Sequence, residues 1–482
     1  MKTKLIHGKI VDGSGIMPWT GEILIEEDKI LKVGTELLEI ADQVIDLEGM
    51  MIVPGFIDTH CHSGTKVFRN VWMDEKLSQG ITTEIIGQDG IAVVPASPEK
   101  GKEWNSYVAS IDGEHNGLSE KFHTTGEYLD GLRALKPAGN FAYLVPYGNL
   151  RMEIVGLNDV ETTEEQMEQM EQMLRRELEQ GAIGMSAGMI YVPCLFGSQE
   201  ELIRLCKVVA EFDGVFAVHQ RSEANDILES MEELIDIAKQ SEVKLHISHF
   251  KICGLKNQNK LEKIFQLLDK AHEMGISVSY DQYPYVAGCT SLLTCLPPWA
   301  RSGSYDEIRK RLEDEECREK IKQEIKAEVS GWDNFYDFAS DEGILVIGCN
   351  NMSYRGKNLK QIGQMLNVDP LDGLLQILSE DLDARMVDVY GTEETLKALM
   401  KRPEQNFCTD SEGGESEHPR NRGSYARVLG KYVRDEKVFS LPEAIHHMTG
   451  RPAQRFRIPK RGLIKEGYYA DFVVFDSTQI TD

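Results

Sequence analysis

Short apolar runs alternate with longer helical segments through the middle of this chain. The apolar runs are "GITTEIIG", "FAYLVPYG", "GAIGMSAG", "VFAVHQR", "VKLHISHF", "ISVSYDQYPY", "ILVIGC" and "NFCTDSEGG". Between them, stretches such as "TEEQMEQMEQMLRRELEQG" carry apolar residues at helical spacing. About eight such units over about 350 residues predict an α/β fold whose parallel strands close into a (β/α)₈ TIM-type barrel, with a doubly wound sheet as the alternative.

The two ends of the chain share a different pattern. Residues 1–52 read as short strands separated by glycine turns, and "RGLIKEGYYADFVVFD" (461–476) repeats the order strand, turn, strand. We therefore predict a small β-sandwich domain formed from both termini. Its N-terminal part is 1–52, the barrel is 53–430, and 431–482 supplies the last helix and the C-terminal part of the sandwich.

Two segments within the predicted barrel stand out. Residues 296–342 are longer, more charged and mostly helical, which predicts a helical insertion, either a solvated excursion or a lid over the barrel mouth. The Met- and Glu-rich helix at 164–179 is expected in the outer ring, with its methionines filling space toward the core.

Composition excludes several classes of protein. No stretch approaches the roughly 20 uninterrupted apolar residues of a membrane-spanning helix, so no membrane partner is expected. The start of the chain lacks the apolar segment of a signal peptide, which predicts a cytoplasmic protein. A formal net charge of −26 would repel a phosphate backbone, so no nucleic-acid partner is expected. The 9 cysteines form no CxxC pair, which predicts free thiols.

The segment "VPGFIDTHCHSG" (53–64) holds two histidines separated by one residue. Alternate side chains of a strand point the same way, so His60 and His62 are expected to project together. In a barrel, reactive groups stand at the carboxyl ends of the strands. The polar residues at the ends of later apolar runs are Asp89, His219, His249 and Asp410. This set of nitrogen and oxygen ligands suits Zn²⁺ or a similar divalent ion.

The remaining polar residues near these runs receive no metal role. His246 lies three residues before His249, so on a strand the two side chains face opposite ways. Asp58 either hydrogen-bonds a ligating histidine from behind or merely ends its strand. The histidines in loop or helical surroundings are His115, His123, His272, His446 and His447.

The order HxH, Asp, His, His, Asp across successive strand ends resembles the amidohydrolase superfamily, and within it the N-acyl-D-amino-acid deacylases, or D-aminoacylases. Longer segments carry the likeness nearly end to end. They are "VPGFIDTHCH", "GAIGMSAGMIYVP", "HISHFK", "DQYPY", "CTDSEGG", "HPRNRGSYARVLGKYVR" and "AIHHMTGRPAQRFRIPKRGLIKEGYYADFVVFD". The resemblance implies a barrel flanked by a β-sandwich built from both termini.

The resemblance also implies roles for single residues. His60, His62, His219 and His249 match the family's metal histidines, and Asp410 matches its catalytic aspartate, which also contacts metal. Asp89 departs from the pattern, because this chain has "GQDG" where the deacylases typically have "GNCG", with a metal-bridging cysteine. A carboxylate is a harder ligand than a thiolate, so one or two ions, and metals other than zinc, are both compatible with this change.

Further matches fall on the implied substrate pocket. Lys251 and Tyr283 match the lysine and tyrosine that bind the substrate carboxylate, and Tyr191 matches the tyrosine of the glycine-rich loop. Arg420 resembles an arginine near the side-chain pocket, with a structural salt bridge as the alternative, and Cys289 stands where the family usually has serine.

The resemblance implies metal-dependent hydrolysis of a linear amide, with a small N-acyl-D-amino acid as the substrate and zinc as the first choice of metal. One alternative is a cyclic-amide or dipeptide hydrolase of the same superfamily, similar to dihydroorotases, hydantoinases or isoaspartyl dipeptidases. A non-catalytic metal- or ligand-binding protein is the other, because Asp89 replaces an expected ligand. The acyl group, the side chain, the D or L preference and the oligomeric state are left open.

Overall fold

The computed structural model describes residues 1–327, 331–412 and 418–482. Residues 328–330 of the predicted insertion and the two glycines, 413 and 414, of the "CTDSEGG" motif lie outside the described residues.

The described strands, in chain order, are β1 (Lys2–Ile10), β2 (Trp19–Glu26), β3 (Lys29–Gly34), β4 (Gln43–Asp46), β5 (Met51–Pro54), β6 (Phe56–Asp58), β7 (Ile81–Ile86), β8 (Asn140–Tyr143), β9 (Val145–Pro146), β10 (Gly184–Gly188), β11 (Val215–His219), β12 (Lys244–Ile247), β13 (Val278–Gln282), β14 (Ala287–Ser291), β15 (Ile344–Gly348), β16 (Lys357–Asn358), β17 (Arg385–Val389), β18 (Gln405–Phe407) and β19 (Phe472–Phe475).

The described α-helices are α1 (Asp74–Leu77), α2 (Pro98–Asp112), α3 (Leu118–Lys121), α4 (Thr125–Leu135), α5 (Tyr147–Ile154), α6 (Glu164–Glu179), α7 (Gln199–Glu211), α8 (Ile227–Ser241), α9 (Leu261–Glu273), α10 (Pro298–Arg301), α11 (Tyr305–Glu313), α12 (Glu315–Lys326), α13 (Phe335–Gly343), α14 (Leu359–Leu366), α15 (Pro370–Glu380), α16 (Glu393–Met400), α17 (Arg420–Arg427), α18 (Leu441–Met448) and α19 (Gly450–Arg455). A π-helical segment, Val428–Asp435, continues α17.

Strands from both ends of the chain share one six-stranded sheet, here called the terminal sheet. Its order is β19-β5-β1-β2-β3, with β4 beside β1. The last strand, β19, runs antiparallel to β5, so that Phe472 lies opposite Pro54 and Phe475 lies opposite Met51. One face of the sheet buries Ile10, Ile23 and Ile52.

The strands of the middle region are parallel and form two sheets, β6-β7-β8 and β18-β13-β12-β11-β10-β9. Backbone hydrogen bonds connect the two sheets at both edges. Ile183, just before β10, donates its N–H to the Tyr143 carbonyl of β8 (2.8 Å), and Asp410, after β18, donates its N–H to the His60 carbonyl (2.9 Å). The chain therefore has an α/β fold in which the carboxyl ends of β6 and β18 lie side by side.

The helices between these strands pack on their outer side. In α6 the side chain of Thr163 and the side chain of Gln166 cap each other's backbone N–H groups, which fixes the start of the helix. Met167 and Met170 are buried in the same apolar cluster as Phe216 of β11, as the helical spacing predicts.

A four-stranded antiparallel sheet lies between β13 and β18, in the order β14-β17-β15-β16. The run "ILVIGC" forms β15 of this sheet and pairs antiparallel with β17. Its placement among the alternating parallel strands is therefore wrong, because a short buried strand reads as the same apolar run in either kind of sheet. Helices α11 and α12 contribute Ile308, Leu312 and Ile321 to an apolar cluster with this sheet.

Two predictions drawn from composition can be compared with the structure. No helix among the described residues is long and apolar enough to cross a membrane. All nine cysteines are free, in agreement with the absence of a CxxC pair.

Candidate metal centre and its cavity

Five parallel strands deliver the predicted ligands to one end of the sheets. His60 and His62 follow β6, Asp89 follows β7, His219 ends β11, His249 follows β12 and Asp410 follows β18. All six side chains are buried. Because parallel strands end at a common edge, the six residues converge there.

The two carboxylates lie among the imidazoles. Asp89 Oδ2 is 3.5 Å from Nε2 of His60, 3.6 Å from Nε2 of His62 and 3.5 Å from Nε2 of His249. Asp410 Oδ1 is 3.6 Å and 3.7 Å from Nε2 of His60 and His62. The second pair of histidines is also in contact, with 3.0 Å between His219 Nδ1 and His249 Nε2.

Three of these residues have an unfavourable backbone conformation. Asp89, His249 and Asp410 have φ values of 54°, 33° and 49°, a region that side chains with a Cβ rarely adopt. Such strain persists only where the surrounding structure enforces it, and it concentrates at functional sites. Gly188 allows the Asp89 backbone to approach closely, because a Cβ at position 188 would lie 2.4 Å from the Asp89 carbonyl oxygen.

Several polar atoms of the cluster are buried without a hydrogen-bond partner among the described residues. They are both ring nitrogens of His60, Nδ1 of His62, Oδ1 of Asp89 and Nε2 of His219. Buried polar atoms normally have partners, so this group points to a ligand that accepts their lone pairs. Imidazole nitrogens and carboxylate oxygens are ligands of Zn²⁺ and similar ions, so these residues fit a divalent metal.

Glu223 joins the cluster and was not predicted. It is 3% exposed, with Oε2 3.8 Å from His219 Nε2 and Oε1 3.3 Å from His249 Nδ1. His219, Glu223 and His249 form a second group with metal-ligand spacing, beside the group of His60, Asp89, His249 and Asp410. The only signal in the sequence is a carboxylate four residues after His219 in "HQRSE", within a loop that has no periodicity.

The surroundings of the two later histidines shift their pKa values in opposite directions. Burial lowers the pKa of His219 to about 4. Burial and Lys251 also act to lower the pKa of His249, but the Asp89 and Asp410 carboxylates outweigh them and raise it to about 10. Burial opposes ionisation of Glu223, yet Lys251 and the histidines hold its pKa down at about 2.

Asp58 lies behind the cluster and contacts none of its imidazole rings through a hydrogen bond among the described residues. Its carboxylate accepts hydrogen bonds from the Thr409 N–H (2.9 Å) and from the Thr409 hydroxyl (2.6 Å), and it pairs with the Lys76 ammonium. Lys76 also lies 3.3 Å from Glu84. Asp58, Cys61 and Glu84 have metal-ligand spacing, but the ammonium group of Lys76 already supplies their cation.

The histidines without a predicted metal role have partners elsewhere. His246 contacts Asp281 through Nε2 (2.8 Å) and Ser279 through Nδ1 (2.7 Å). His115 contacts Asp112, and His272 contacts Glu404.

The cluster opens into a cavity of about 590 Å³, a volume that includes space open to solvent. The four predicted substrate residues all line it: Tyr191, Lys251, Tyr283 and Arg420. Part of the wall comes from the region between β13 and β18, through Thr290, Phe335 and Asp388. The described part of 296–342 therefore borders the cavity, and its action as a moving lid stays a prediction.

Two hydrogen-bond donors in this wall are buried without a partner among the described residues: the Tyr283 hydroxyl and Nε of Arg420. The Arg420 guanidinium lies 4.8 Å from the centre of the Tyr283 ring. Its other nitrogens are occupied, because Nη1 donates to Asp410 Oδ2 (2.6 Å) and Nη2 donates to the Cys289 carbonyl (3.1 Å) and to Glu412. Arg420 thus forms salt bridges and still has one buried donor without a partner among the described residues.

Lys251 and Tyr191 already have partners. Lys251 Nζ lies 2.8 Å from Glu223 Oε1 and 3.0 Å from both Nδ1 and the carbonyl oxygen of His249. The Tyr191 hydroxyl lies 2.9 Å from the Thr290 hydroxyl. Lys251 therefore connects the wall of the cavity to the candidate ligands.

The chain is similar to known proteins over most of its length. A model of the amidohydrolase family matches residues 43–282 and 397–482, and the unmatched interval contains the antiparallel sheet. The D-aminoacylase of Alcaligenes xylosoxydans xylosoxydans is 28% identical over 99% of this chain and 88% of its own length.

The fold is also similar to the solved structures of two deacylases. The zinc complex of N-acyl-D-glutamate deacylase from Bordetella bronchiseptica, with a phosphonate mimic of the tetrahedral intermediate, superposes with a TM-score of 0.83 at 26% identity, covering 100% of this chain and 91% of that one. A D-aminoacylase with a binuclear metal centre superposes with a TM-score of 0.80 at 27% identity, covering 98% and 90%.

Proposed function

Because the chain belongs to the amidohydrolase family, we propose that it is a metal-dependent hydrolase that removes the acyl group from N-acyl-D-amino acids. One observation carries the proposal: five of the six strand-end ligand residues line a single cavity together with Tyr283 and Arg420, each of which has an unpartnered hydrogen-bond donor. The deacylase and D-aminoacylase relatives support the substrate class.

His60, His62, Asp89, His219 and His249 would hold one or two divalent ions, with zinc the first choice, and Glu223 is an added candidate. When bound, such an ion supplies Lewis acidity toward water and toward the amide carbonyl. The zinc and binuclear centres of the related structures support this assignment.

Asp410 would transfer the proton of the attacking water to the leaving nitrogen. Its Oδ2 is held by Arg420, while Oδ1 faces the first pair of histidines, so one oxygen is fixed and the other is available at the reacting centre. Asp410 takes a proton from the attacking water and then delivers it to the nitrogen that leaves, because an amine departs poorly without that proton.

The remaining cavity residues would position the substrate. Tyr283 and Arg420 each offer an unused donor to the free carboxylate of the amino acid. Lys251 adds positive charge nearby, and Tyr191 borders the reacting amide. Donors for a free carboxylate favour a linear acylated amino acid over a cyclic amide.

The same proposal extends to the architecture. We propose that the eight parallel strand positions form a closed (β/α)₈ barrel spanning 53–430, supported by the hydrogen bonds at both sheet edges and by the parallel bridge between Cys61 and Ser411. The terminal sheet, from 1–52 and 431–482, would belong to a small β-sandwich.

A substrate screen tests the function. N-acetyl and N-formyl derivatives of D- and L-amino acids are incubated with the protein, and divalent metal is measured on the same sample. We expect one or two ions per chain and hydrolysis of D-derivatives. Asp410→Asn should keep the fold and most of the metal but lose about 10²-fold or more in turnover. A metal-free protein that hydrolyses none of the derivatives, or near-normal turnover in the variant, would contradict the proposal.

A further inference from the structure

We propose that Asp388 recognises a cationic side chain on the substrate, so that this hydrolase prefers N-acyl derivatives of basic D-amino acids such as D-lysine, D-ornithine and D-arginine. The inference rests on the proposed function and adds the identity of the side chain that the cavity accepts.

Asp388 is a buried carboxylate without a side-chain hydrogen-bond donor among the described residues. It lies on β17, is 3% exposed and lines the cavity. No described residue donates a side-chain hydrogen bond to it, and no described basic side chain lies within 4.0 Å of it. Burial raises its pKa to about 6, although Lys251, Arg420 and the backbone N–H of Asp388 act to lower it. A carboxylate in this position is costly unless a donor or a cation reaches it, which points to a group brought by a ligand.

The other ionisable groups of the cavity serve other partners. Lys251 pairs with Glu223, and Arg420 pairs with Asp410 and Glu412. Asp333, also in the wall, accepts hydrogen bonds from the Ser222 hydroxyl (2.6 Å) and from the Glu223 N–H (2.7 Å). Asp388 is therefore the wall carboxylate whose partner the described chain does not supply.

The sheet holds Asp388 in a defined place. Strand β17 is bonded on both sides, so that Asp388 lies opposite Gly288 of β14 and Ile344 of β15. A Cβ at position 288 would lie 2.8 Å from Asp388 Oδ1, so the absence of a side chain at Gly288 makes space for the carboxylate. A recognition group on a rigid strand loses little conformational entropy on binding.

The surroundings favour a cation over a neutral donor. Phe335, Phe338 and Tyr283 border the same cavity, and aromatic and apolar walls suit the methylene stem and the charged end of a basic side chain.

The test compares two substrates with the same hydrocarbon stem on the metal-loaded enzyme: Nα-acetyl-D-lysine and N-acetyl-D-norleucine, which lacks the terminal amine. We expect kcat/KM to be about 10-fold or more higher for the lysine derivative. Asp388→Asn should abolish most of this preference while leaving norleucine turnover within about threefold. The retained norleucine turnover also shows that the variant is folded and loaded with metal. Asp341→Asn, which removes a carboxylate of α13 outside the cavity wall, is the matched control and should keep the preference.

The outcomes separate the two proposals. Hydrolysis of the norleucine derivative without a preference for lysine, or a preference that survives in Asp388→Asn, overturns the role of Asp388 and leaves the proposed function standing. N-acetyl-D-glutamine adds a check, because an equal rate on this neutral donor would overturn the assignment to a cation. Failure to hydrolyse any N-acetyl-D-amino acid overturns both.

Discussion

Asp89 occupies the centre of the candidate metal site, with one carboxylate oxygen within 3.6 Å of ring nitrogens of three histidines. His60, His249 and hydrogen bonds from both hold the pKa of Asp89 well below its usual value, although burial acts in the opposite direction. The side chain is therefore an anion aimed at the histidines.

Substitution of Asp89 tests whether the carboxylate binds metal. Asp89→Ala should weaken binding of at least one ion and lower turnover, because the centre loses a charged oxygen ligand. Asp89→Cys introduces a softer thiolate and should raise the preference for zinc over manganese while retaining some activity. Metal content and turnover are measured for both variants. Parental stoichiometry and turnover in both would remove Asp89 from the ligand set.

Residues differ in how far the sequence alone could locate them. His60, His62 and Asp410 follow apolar runs directly, so the periodicity of the strands was enough to bring them together. Glu223 lies in a loop, and Asp388 depends on the pairing of an antiparallel sheet. No short-range pattern encodes either arrangement, so both emerged only from the three-dimensional packing.

At the level of elements, a buried ion network joins β6, α1 and β18. Lys76 of α1 reaches Asp58 at the end of β6 and the Thr409 hydroxyl just beyond β18 (2.8 Å), and Glu84 of β7 lies beside it. Lys76 is 3% exposed. The network therefore fixes the strand ends from which His60 and Asp410 project.

Lys76→Met should be strongly destabilising, because it leaves two buried carboxylates without their cation. We expect a loss of about 3–5 kcal/mol in the free energy of unfolding, measured by urea denaturation of the metal-loaded protein. Lys66→Met, which breaks a partly exposed pair with Glu75, is the control and should cost about 1 kcal/mol or less. Equal losses in the two variants would show that the network does not hold the strand ends together.

The sequence predicted some secondary-structure elements correctly and misplaced one strand. The parallel strands and α6 follow from periodicity, since each has a pattern of its own. β15 was misplaced because its run of buried residues carries no information on strand direction. Direction is decided by the partners β16 and β17, which lie 9 and 37 residues further along the chain.

At the scale of the whole molecule, a bound metal would hold strand ends in contact that are distant in sequence. The candidate ligands extend from His60 to Asp410 and belong to five different strands. An ion that binds only the folded arrangement stabilises it by mass action, by about 2.7 kcal/mol when the free ion is at 100 times its Kd.

Removal of the metal should therefore lower the Tm of the protein, and added zinc should restore it. The double variant His219→Ala/His249→Ala should lose metal as purified and should not respond to the chelator. Thermal unfolding with and without chelator, with metal content measured in parallel, checks both statements. Full metal occupancy in the double variant would show that the wrong histidines were chosen.

The terminal sheet has a consequence for synthesis of the protein. β5 leads within six residues to His60, yet its antiparallel partner β19 is formed by residues 472–475. Domains generally begin to fold from the N terminus as the chain leaves the ribosome. Here the nascent chain must keep one edge of β5 unpaired until residues 472–475 have been translated. Premature termination shortly before residue 472 would release a polypeptide that carries every candidate ligand but exposes an open strand edge beside the first of them, a template for aggregation.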